Sequence, residues 1–259
     1  MAGTAVRGRL SDPGGGPPQA VTGAWQTVTV SSVVDETPAV RTVLLEVPEW
    51  PGHRAGQHLD IRLTADDGYQ AERSYSIASA PGEPIAITVE RLEDGEVSPY
   101  LTRELRPGDK MEVRGPIGGY FVWEPAMGGP LLLAAGGSGI VPLRAILRYR
   151  ANLGSQVPVR LLYSSRSWPD VIYRDELSRP EAGVAVIQTL TRSHPDDWTG
   201  YTRRVDAAML AEVAWPAADG ALAYVCGPTS FVESVAAGLV GLGYPAGRVR
   251  TERFGATGQ

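Results

Sequence analysis

The chain has 259 residues, of which 43% are hydrophobic and 20% charged, and this composition is typical of a globular protein rather than a disordered one. The net charge of −5 argues against a nucleic-acid partner. The single cysteine excludes a disulfide framework, a zinc finger and a four-thiolate iron–sulfur cluster within these residues, so we expect no metal site. No run is long and apolar enough to span a membrane, and the N-terminus lacks an apolar signal region, so we expect no membrane partner and a cytoplasmic location.

The N-terminal half has the pattern of a β-barrel. Residues 1–22 are rich in glycine, proline and small residues, which predicts a disordered tail. Over residues 23–125, short β-like runs alternate with turn signals such as APGEP and RPGD. The runs are WQTVTVSSVV, VRTVLLEV, HLDIRL, YSIAS, IAITVERL and KMEVRGPIGGYFVW. This spacing predicts a closed antiparallel barrel with a short helix at SPYLTREL, for which Ser98 is the candidate cap.

Over residues 126–259 the pattern changes to strands that alternate with helices. Apolar runs at PLLLAA, VPVRLLYS, VAVIQTL, ALAYVC and VRTERF predict strands, and we place helices near 142–152, 170–178, 205–213 and 229–242. This order predicts a doubly wound α/β domain with a parallel sheet, in which ligands bind at the carboxyl ends of the strands. Cys226 lies at one of these ends, where a buried structural thiol is the simpler alternative to a functional one.

A glycine-rich turn follows the first strand of the α/β domain. LLLAAGGSGIVPLRAIL combines a strand, a turn that contains Gly137 and Gly139, and Pro142 in the first turn of a helix. Glycines let a ligand approach the backbone, and the N–H groups of a helix start attract an anion such as a pyrophosphate. The turn lacks both the P-loop lysine and the G-x-G-x-x-G pattern, so a glycine turn needed only for strand–helix packing is the alternative.

The ends of the next two strands favour NADPH over NADH. An NAD site carries an acid that binds the ribose 2′-hydroxyl, whereas NADP needs a cation for its 2′-phosphate. The second strand ends in YSSRS, with Ser165 and Arg166 and no acid, and the third ends in TLTRS, with Arg192. Either arginine alone is best explained as a solvated surface charge, but two at the same edge of the sheet indicate a phosphate site.

In the barrel, AERSYSIASAP places an arginine, a tyrosine and two serines within four residues. Alternation along a strand directs Arg73 and Tyr75 to one face and Ser74 and Ser76 to the other. An arginine that binds phosphate beside an aromatic ring suits a cofactor with a pyrophosphate and a flat ring system.

Six motifs, in this order and at this spacing, resemble those of the ferredoxin–NADP reductase family of flavoproteins. They are RSYS, GEVSPYL, GPIGGYF, GGSGIVP, CGP and ERF, and the match spans about residues 25–255. The chain is most similar to the compact reductase modules of bacterial oxygenase systems, without their iron–sulfur domain. The resemblance implies FAD on the barrel, with its ring at the junction of the two domains.

The resemblance also implies roles for individual residues. In the barrel, Arg73 would bind the FAD pyrophosphate, Tyr75 would stack on the flavin and Ser76 would hydrogen-bond near flavin N5. The remaining FAD contacts would come from Ser74, Gly95, Val97, Ser98 and Phe254. In the α/β domain, the NADP contacts would come from Gly137, Gly139, Pro142, Ser165, Arg166, Arg192, Gly227 and Pro228.

Two further residues would act near the reacting atoms. The resemblance implies that Cys226 lies beside the nicotinamide during hydride transfer. Glu252 is the nearest carboxylate candidate for proton handling, with a plain surface acid as the alternative. In many members of the family the chain ends on the aromatic residue that covers the flavin, whereas here GATGQ follows Phe254. Phe254 therefore either covers the flavin ring or swings aside for the nicotinamide, and both alternatives stay open.

From these residues we predict an FAD-dependent NADPH oxidoreductase. Electrons would pass from NADPH through FAD to a separate ferredoxin or flavodoxin that serves an oxygenase or a cytochrome P450. One alternative is an NAD(P)H-dependent flavin or quinone reductase with a small diffusible acceptor, and another is a non-catalytic regulatory subunit that binds flavin or nucleotide. We expect a monomer.

Overall fold

A computed structural model describes residues 23–254 of the chain, so the predicted tail over 1–22 and the GATGQ segment lie outside the described residues. The described part contains an N-terminal six-stranded antiparallel sheet and a C-terminal five-stranded parallel sheet. The predicted fold class, an antiparallel barrel followed by a doubly wound α/β domain, is therefore confirmed.

The barrel has the strand order β4-β3-β6-β1-β2-β5. Its two outer strands approach each other through a bridge between Ile77 and Ile87 and a hydrogen bond of 2.7 Å from Ala78 N to Ala86 O. The interior is filled by apolar side chains that alternate along the strands, including Leu59 and Ile61. The strands are β1 Gln26–Thr37, β2 Val40–Glu46, β3 His58–Thr64, β4 Gln70–Ser76, β5 Ile85–Glu90 and β6 Lys110–Ile117.

Two local predictions in the barrel were wrong. The strand placed at YSIAS starts earlier, at Gln70, because residues 70–76 pair along the whole of β3 and the outward Glu72 lies 3.9 Å from Arg62. The helix at SPYLTREL is a short π-helical segment, Tyr100–Glu104, and Ser98 does not cap it. Instead, the Ser98 Oγ accepts a hydrogen bond of 3.0 Å from the backbone N–H of Leu92.

The α/β domain has the parallel strand order β11-β10-β7-β8-β9. Helices α1 and α2 cover one face of the sheet, and α3 and α4 cover the other. The strands are β7 Leu131–Gly136, β8 Val159–Ser165, β9 Val184–Leu190, β10 Leu222–Pro228 and β11 Val249–Phe254, and the helices are α1 Ile140–Asn152, α2 Arg174–Leu177, α3 Ala207–Val213 and α4 Thr229–Gly241. Single turns of 3₁₀-helix occur at Pro125–Met127, Gly137–Gly139, Trp168–Asp170, Ala217–Asp219 and Ala246–Arg248.

The helix predicted over 170–178 is reduced to the four residues of α2. Val171, Ile172 and Tyr173 are all buried, and a helix that lies on a sheet buries only one stripe of its surface. Tyr173 also has a φ of 57°, in the left-handed region, which ends regular structure before α2. Tertiary packing therefore overrides the helical pattern at this point.

The two domains share a hydrophobic core. One cluster of buried side chains contains Ala78, Ala86 and Phe121 from the N-terminal half together with Leu133 and Cys226 from the parallel sheet. Polar contacts add to it, because Arg148 of α1 forms an ion pair of 3.0 Å with Glu83 of the barrel. Among residues 23–254, no helix is long and apolar enough to cross a membrane.

Candidate functional site

The RSYS segment forms the end of β4, and its side chains alternate as predicted. Arg73 is paired with Ile61 and Tyr75 with Leu59, which places both on the inner face of the sheet. Tyr75 packs against the barrel core, and burial raises the pKa of its hydroxyl. Ser74 points outward, where its Oγ donates a hydrogen bond of 2.6 Å to Asp60 Oδ1. Ser74 is thus directed away from the face that carries Arg73 and Tyr75.

Ser76, the last residue of β4, has a buried hydroxyl without a hydrogen-bond partner within residues 23–254. An unsatisfied buried hydroxyl costs about 1–3 kcal/mol, so buried polar groups in proteins are almost always paired. The orphaned Oγ lies at the position where the motif resemblance requires a contact to the flavin. The residues present therefore fit a flavin at this end of the barrel.

The loop before the π-helical segment adds an unexpected residue, Glu96. Arg73 Nη2 donates to Glu96 Oε2 at 2.7 Å, and the Tyr69 hydroxyl donates to Glu96 Oε1 at 2.7 Å. A Cβ on Gly95 would lie 2.9 Å from the Ser98 Oγ, so the loop needs glycine at this position. The structure thus brings Gly95 and Ser98 close to the residue that binds Arg73, whereas the Val97 side chain is buried in the barrel core.

Sequence reasoning missed Glu96 because a carboxylate next to a proposed phosphate site lowers the expected affinity for phosphate. The sequence feature that could have identified Glu96 is its place directly after Gly95, at the start of the GEVSPYL motif. Glu96 is half-exposed. The hydrogen bond from Tyr69 lowers the pKa of its carboxyl, and the contact with Arg73 lowers it further.

In the α/β domain, the predicted glycine turn packs against the strand that carries Cys226. A Cβ on Gly139 would collide with the carbonyl oxygen of Cys226, so only glycine permits this approach. Gly137 has a φ of 54°, and a Cβ there would lie 3.9 Å from Glu90 Oε2 at the end of β5. Pro142 is buried in the first turn of α1, as predicted. The turn therefore contacts both β10 and the barrel.

Cys226 and Glu252 lie on neighbouring strands and are paired in register. The Cys226 Sγ is 4.0 Å from Glu252 Oε2, a weak thiol contact. Burial, with a smaller effect from the nearby carboxylate, raises the pKa of the thiol well above its ordinary value. Loss of hydration raises the pKa of Glu252 to about 7. Near neutral pH the site thus offers a neutral thiol and a carboxyl that can hold or release a proton.

The other two residues of the CGP motif are at the end of β10. Gly227 has a φ of 154° and lies against the carbonyl oxygen of Gly136, so this strand end also packs on the glycine turn. Pro228 is exposed and is paired in register with Phe254. Phe254 is partly buried and packs against the core that the two domains share.

The arginines at the ends of β8 and β9 lie side by side, as predicted. The backbone N–H of Arg192 donates to Arg166 O at 2.8 Å. Both side chains are exposed, and neither forms an ion pair or a hydrogen bond with another described residue. Ser165, by contrast, is buried. The two free guanidinium groups are therefore available to an external anion.

An aromatic pair that the sequence analysis did not identify lies in the loops after the same two strands. The rings of Trp168 and Trp198 are 5.6 Å apart, and Arg174 lies over the Trp168 ring at 5.7 Å. Trp168 follows Arg166 by two residues, and Trp198 follows Arg192 by six. This closeness to the two strand ends is the sequence feature that could have identified the pair.

Comparisons with known proteins assign a domain family to each half of the chain. The oxidoreductase FAD-binding domain matches residues 28–122, and the oxidoreductase NAD-binding domain matches residues 133–237. Ferredoxin–NADP reductase B of Sorangium cellulosum is 36% identical over 212 residues, which cover 77% of this chain and 84% of that protein. The glycine betaine monooxygenase reductase subunit of Chromohalobacter salexigens is 30% identical over 249 residues, which cover 92% of this chain.

The chain spans 67% of the Chromohalobacter subunit and 63% of the corresponding Pseudomonas aeruginosa subunits, about two thirds of their length. Among solved structures, the FAD/NAD-binding domain of nitric oxide dioxygenase from Vibrio cholerae matches with a TM-score of 0.79 and 26% identity. That match covers 89% of this chain and 98% of the other.

Proposed function

Because this chain belongs to the ferredoxin–NADP reductase family of flavin oxidoreductases, we propose that it oxidises NADPH and passes the electrons through FAD to a separate ferredoxin or flavodoxin. The carrier in turn serves an oxygenase or a cytochrome P450. The observation that carries the proposal is the position of the glycine turn, which contacts both the Cys226 strand and the barrel strand β5. A nucleotide on this turn lies against the flavin side of the barrel.

The barrel residues fit FAD. When bound, FAD accepts the two electrons of a hydride together and releases them one at a time. Arg73 binds the pyrophosphate with the N–H groups that are not donated to Glu96 and to the Glu72 carbonyl oxygen, and Gly95 allows the backbone of the loop to approach it. Tyr75 stacks on the flavin ring, and the Ser76 hydroxyl gains the partner that the described residues do not provide.

The α/β residues fit NADPH rather than NADH. The N–H groups of the Gly137–Gly139 turn and of the start of α1 face the pyrophosphate. Arg166 binds the 2′-phosphate and Arg192 adds a second cation beside it, since both guanidinium groups are exposed and unpaired among the described residues. No acid follows β8 directly to favour a ribose 2′-hydroxyl instead.

Cys226 and Glu252 act where the two half-sites meet. The neutral Cys226 thiol packs beside the nicotinamide and sets how closely the ring approaches the flavin, together with the backbone of Gly227 and Pro228. Glu252 holds a proton on its carboxyl near neutral pH and exchanges it with water. Phe254, two residues later on β11, packs against the core that the two domains share and would cover the flavin from there.

The test is to mix the FAD-loaded protein with NADPH under anaerobic conditions and to follow the flavin absorbance, then to add ferredoxin. We expect rapid bleaching and a faster turnover with ferredoxin than without it. Fast turnover with free flavin and no gain from ferredoxin or flavodoxin would instead indicate a reductase of small acceptors. Bound FAD that NADPH fails to reduce would indicate a non-catalytic binding protein.

A further inference from the structure

Arg250 of β11 connects the parallel sheet to the segment that follows the last barrel strand, residues 118–123. Its Nη1 group donates hydrogen bonds to the carbonyl oxygen of Tyr120, at 3.0 Å, and to that of Val122, at 2.6 Å. The Tyr120 hydroxyl in turn donates to the carbonyl oxygen of Val249 at 3.3 Å. Arg250 has no carboxylate partner among the described residues, so this connection is not a surface ion pair. The sequence motifs assigned Arg250 no role.

Tyr224 of β10 contacts the same segment. Its hydroxyl donates to the Val122 carbonyl oxygen at 2.8 Å, and its ring packs edge-to-face on Phe121 with the ring centroids 5.3 Å apart. The Arg250 guanidinium lies 5.6 Å from the centre of the Tyr224 ring, within range of a cation–π interaction. Burial raises the pKa of the Tyr224 hydroxyl to about 12, so it remains a donor at neutral pH. Two side chains from neighbouring strands therefore hold one backbone segment.

These two residues lie just before the pair Cys226–Glu252 on the same face of the sheet. Tyr224 is paired in register with Arg250, and Cys226 with Glu252. Residues two apart on a strand face the same side and are separated by about 7 Å. Tyr224 and Cys226 accordingly belong to one buried cluster. The Arg250 contact thus places residues 118–123 beside the face on which hydride transfer is proposed.

The same segment is also bound to the end of the barrel that carries Ser76. The Gln57 side chain donates to the Gly118 carbonyl oxygen at 2.6 Å. The carbonyl oxygen of Gln57 accepts a hydrogen bond of 2.9 Å from the backbone N–H of Ile77, the residue after Ser76. Hydrogen bonds on its two sides therefore join the segment to the proposed flavin end of the barrel and to Arg250.

We propose that Arg250 is a positioning residue that sets how closely the nicotinamide approaches the flavin, an inference that rests on the proposed function. Through residues 118–123, it holds the flavin end of the barrel at a fixed distance from the sheet face that carries Cys226. Hydride transfer is sensitive to this distance, because a misplacement of about 1 Å can cost on the order of 100-fold in rate. Loss of Arg250 therefore lowers the rate of the transfer and leaves the binding of both cofactors intact.

The experiment mixes the FAD-loaded Arg250→Ala variant and the unmodified protein with NADPH in an anaerobic stopped-flow instrument. We expect the variant to lose about tenfold in the limiting rate of flavin reduction. The long-wavelength charge-transfer absorbance of stacked nicotinamide and flavin rings should weaken as well. The dissociation constants of FAD and NADPH should stay unchanged, because neither cofactor loses a contact. Arg250→Lys keeps the charge but not the planar group with several donors, so it should recover part of the rate and of the absorbance.

Arg248→Ala is the matched control. Arg248 lies two residues before Arg250 and also donates to two backbone carbonyl oxygens, that of Ala221 at 3.3 Å and that of Gly220. Both of its partners belong to the α/β domain, so its contacts do not reach the barrel. We expect its loss to lower the melting temperature and to leave the reduction rate and the absorbance unchanged.

A reduction rate in Arg250→Ala equal to that of the unmodified protein or of Arg248→Ala would overturn the proposal. A loss that disappears at saturating NADPH, or that a weaker binding of FAD explains, would overturn it as well, because Arg250 would then serve binding. If Arg250→Ala does not fold, Arg250→Lys takes its place, and an unchanged rate in that variant has the same meaning. Reduction of the unmodified protein by NADPH tests the proposed function separately, so a negative result at Arg250 removes only the positioning role.

Discussion

At the scale of single residues, the proposed alignment of nicotinamide and flavin can be tested at Cys226. Its side chain is completely buried, and the raised pKa of the thiol excludes a thiolate nucleophile at neutral pH. A misplacement of about 1 Å in a reacting pair can cost on the order of 100-fold in rate. We therefore expect Cys226→Ala to slow anaerobic flavin reduction by NADPH and to leave the FAD content unchanged, while Cys226→Ser has a milder effect.

Val225→Ala is the matched control for this prediction. Val225 is equally buried on the same strand but packs in the cluster on the opposite face of the sheet. We expect it to lower the melting temperature through a cavity and to leave the reduction rate unchanged. If Cys226→Ala behaves in the same way, with a lower melting temperature and an unchanged rate, Cys226 is only a core residue.

Arg166 is the residue expected to select the nicotinamide cofactor. Its guanidinium group is exposed and has no protein partner among residues 23–254, so a 2′-phosphate gains a charged hydrogen bond at little cost. Arg166→Ala should raise KM for NADPH about 5- to 150-fold, which corresponds to a loss of roughly 1–3 kcal/mol of binding free energy, and should leave KM for NADH nearly unchanged. Arg179→Ala removes another exposed arginine away from the strand ends and should change neither value. Equal losses for both cofactors in Arg166→Ala would contradict the assignment.

At the scale of elements, a hydrogen-bond chain connects the loop after β8 to the barrel. The Tyr173 hydroxyl donates to Thr88 Oγ1 at 2.5 Å, Thr88 and Thr42 share a hydrogen bond of 2.7 Å, and Thr42 donates to Glu36 at 2.6 Å. The guanidinium of Arg144 lies over the Tyr173 ring at 4.2 Å. Because this loop begins just after Arg166, we expect these hydrogen bonds to hold the proposed NADPH side of the site in place relative to the barrel.

We therefore expect Tyr173→Phe to lower the free energy of unfolding by about 1 kcal/mol and also to slow flavin reduction at saturating NADPH, with FAD binding unchanged. Tyr244→Phe is the matched control, because Tyr244 is buried and donates one hydrogen bond of 2.7 Å to Trp215 O within the α/β domain. It should cost similar stability without affecting the rate. Equal reduction rates in the two variants would show that the Tyr173 contact serves stability alone.

The elements that the sequence predicted best are those that a local pattern determines. The apolar runs of the parallel strands and the glycine turn are cases in which burial and backbone geometry restrict the residue types. The predictions failed where distant contacts decide. The start of β4 depends on its pairing with β3, the Ser98 hydroxyl bonds to Leu92 instead of a helix end, and the burial of residues 171–173 shortens α2.

The same limit applies to the candidate site. The alternation of Arg73 and Tyr75 and the adjacency of the two strand-end arginines follow from strand geometry, so they could be predicted. For Glu96 and the pair Trp168–Trp198 the sequence offered only their position beside a motif or a strand end, and not their contacts, because loops bring them to their partners and no periodic pattern specifies loop geometry.

At the scale of the whole molecule, the junction of the domains imposes a pH dependence on stability through Glu252. Its pKa is about 7 in the folded protein against an ordinary value of 4.5, because the fold removes water from the carboxyl. The folded state thus binds the proton more tightly than the unfolded state does. The resulting stabilisation is fully present below pH 4.5 and is lost as the pH rises through about 7.

Glu252→Gln keeps the size of the side chain and removes this titration. We expect the variant and the unmodified protein, both free of cofactors, to differ little in the free energy of unfolding near pH 4.5, and the variant to become the more stable one by about 1–3 kcal/mol near pH 8. Partial exposure of the side chain places the difference in the lower part of that range. Urea denaturation over this pH range measures it. A constant difference between the two proteins from pH 4.5 to 8 would show that Glu252 ionises as readily in the folded state as in the unfolded one, and the junction would then be open to water.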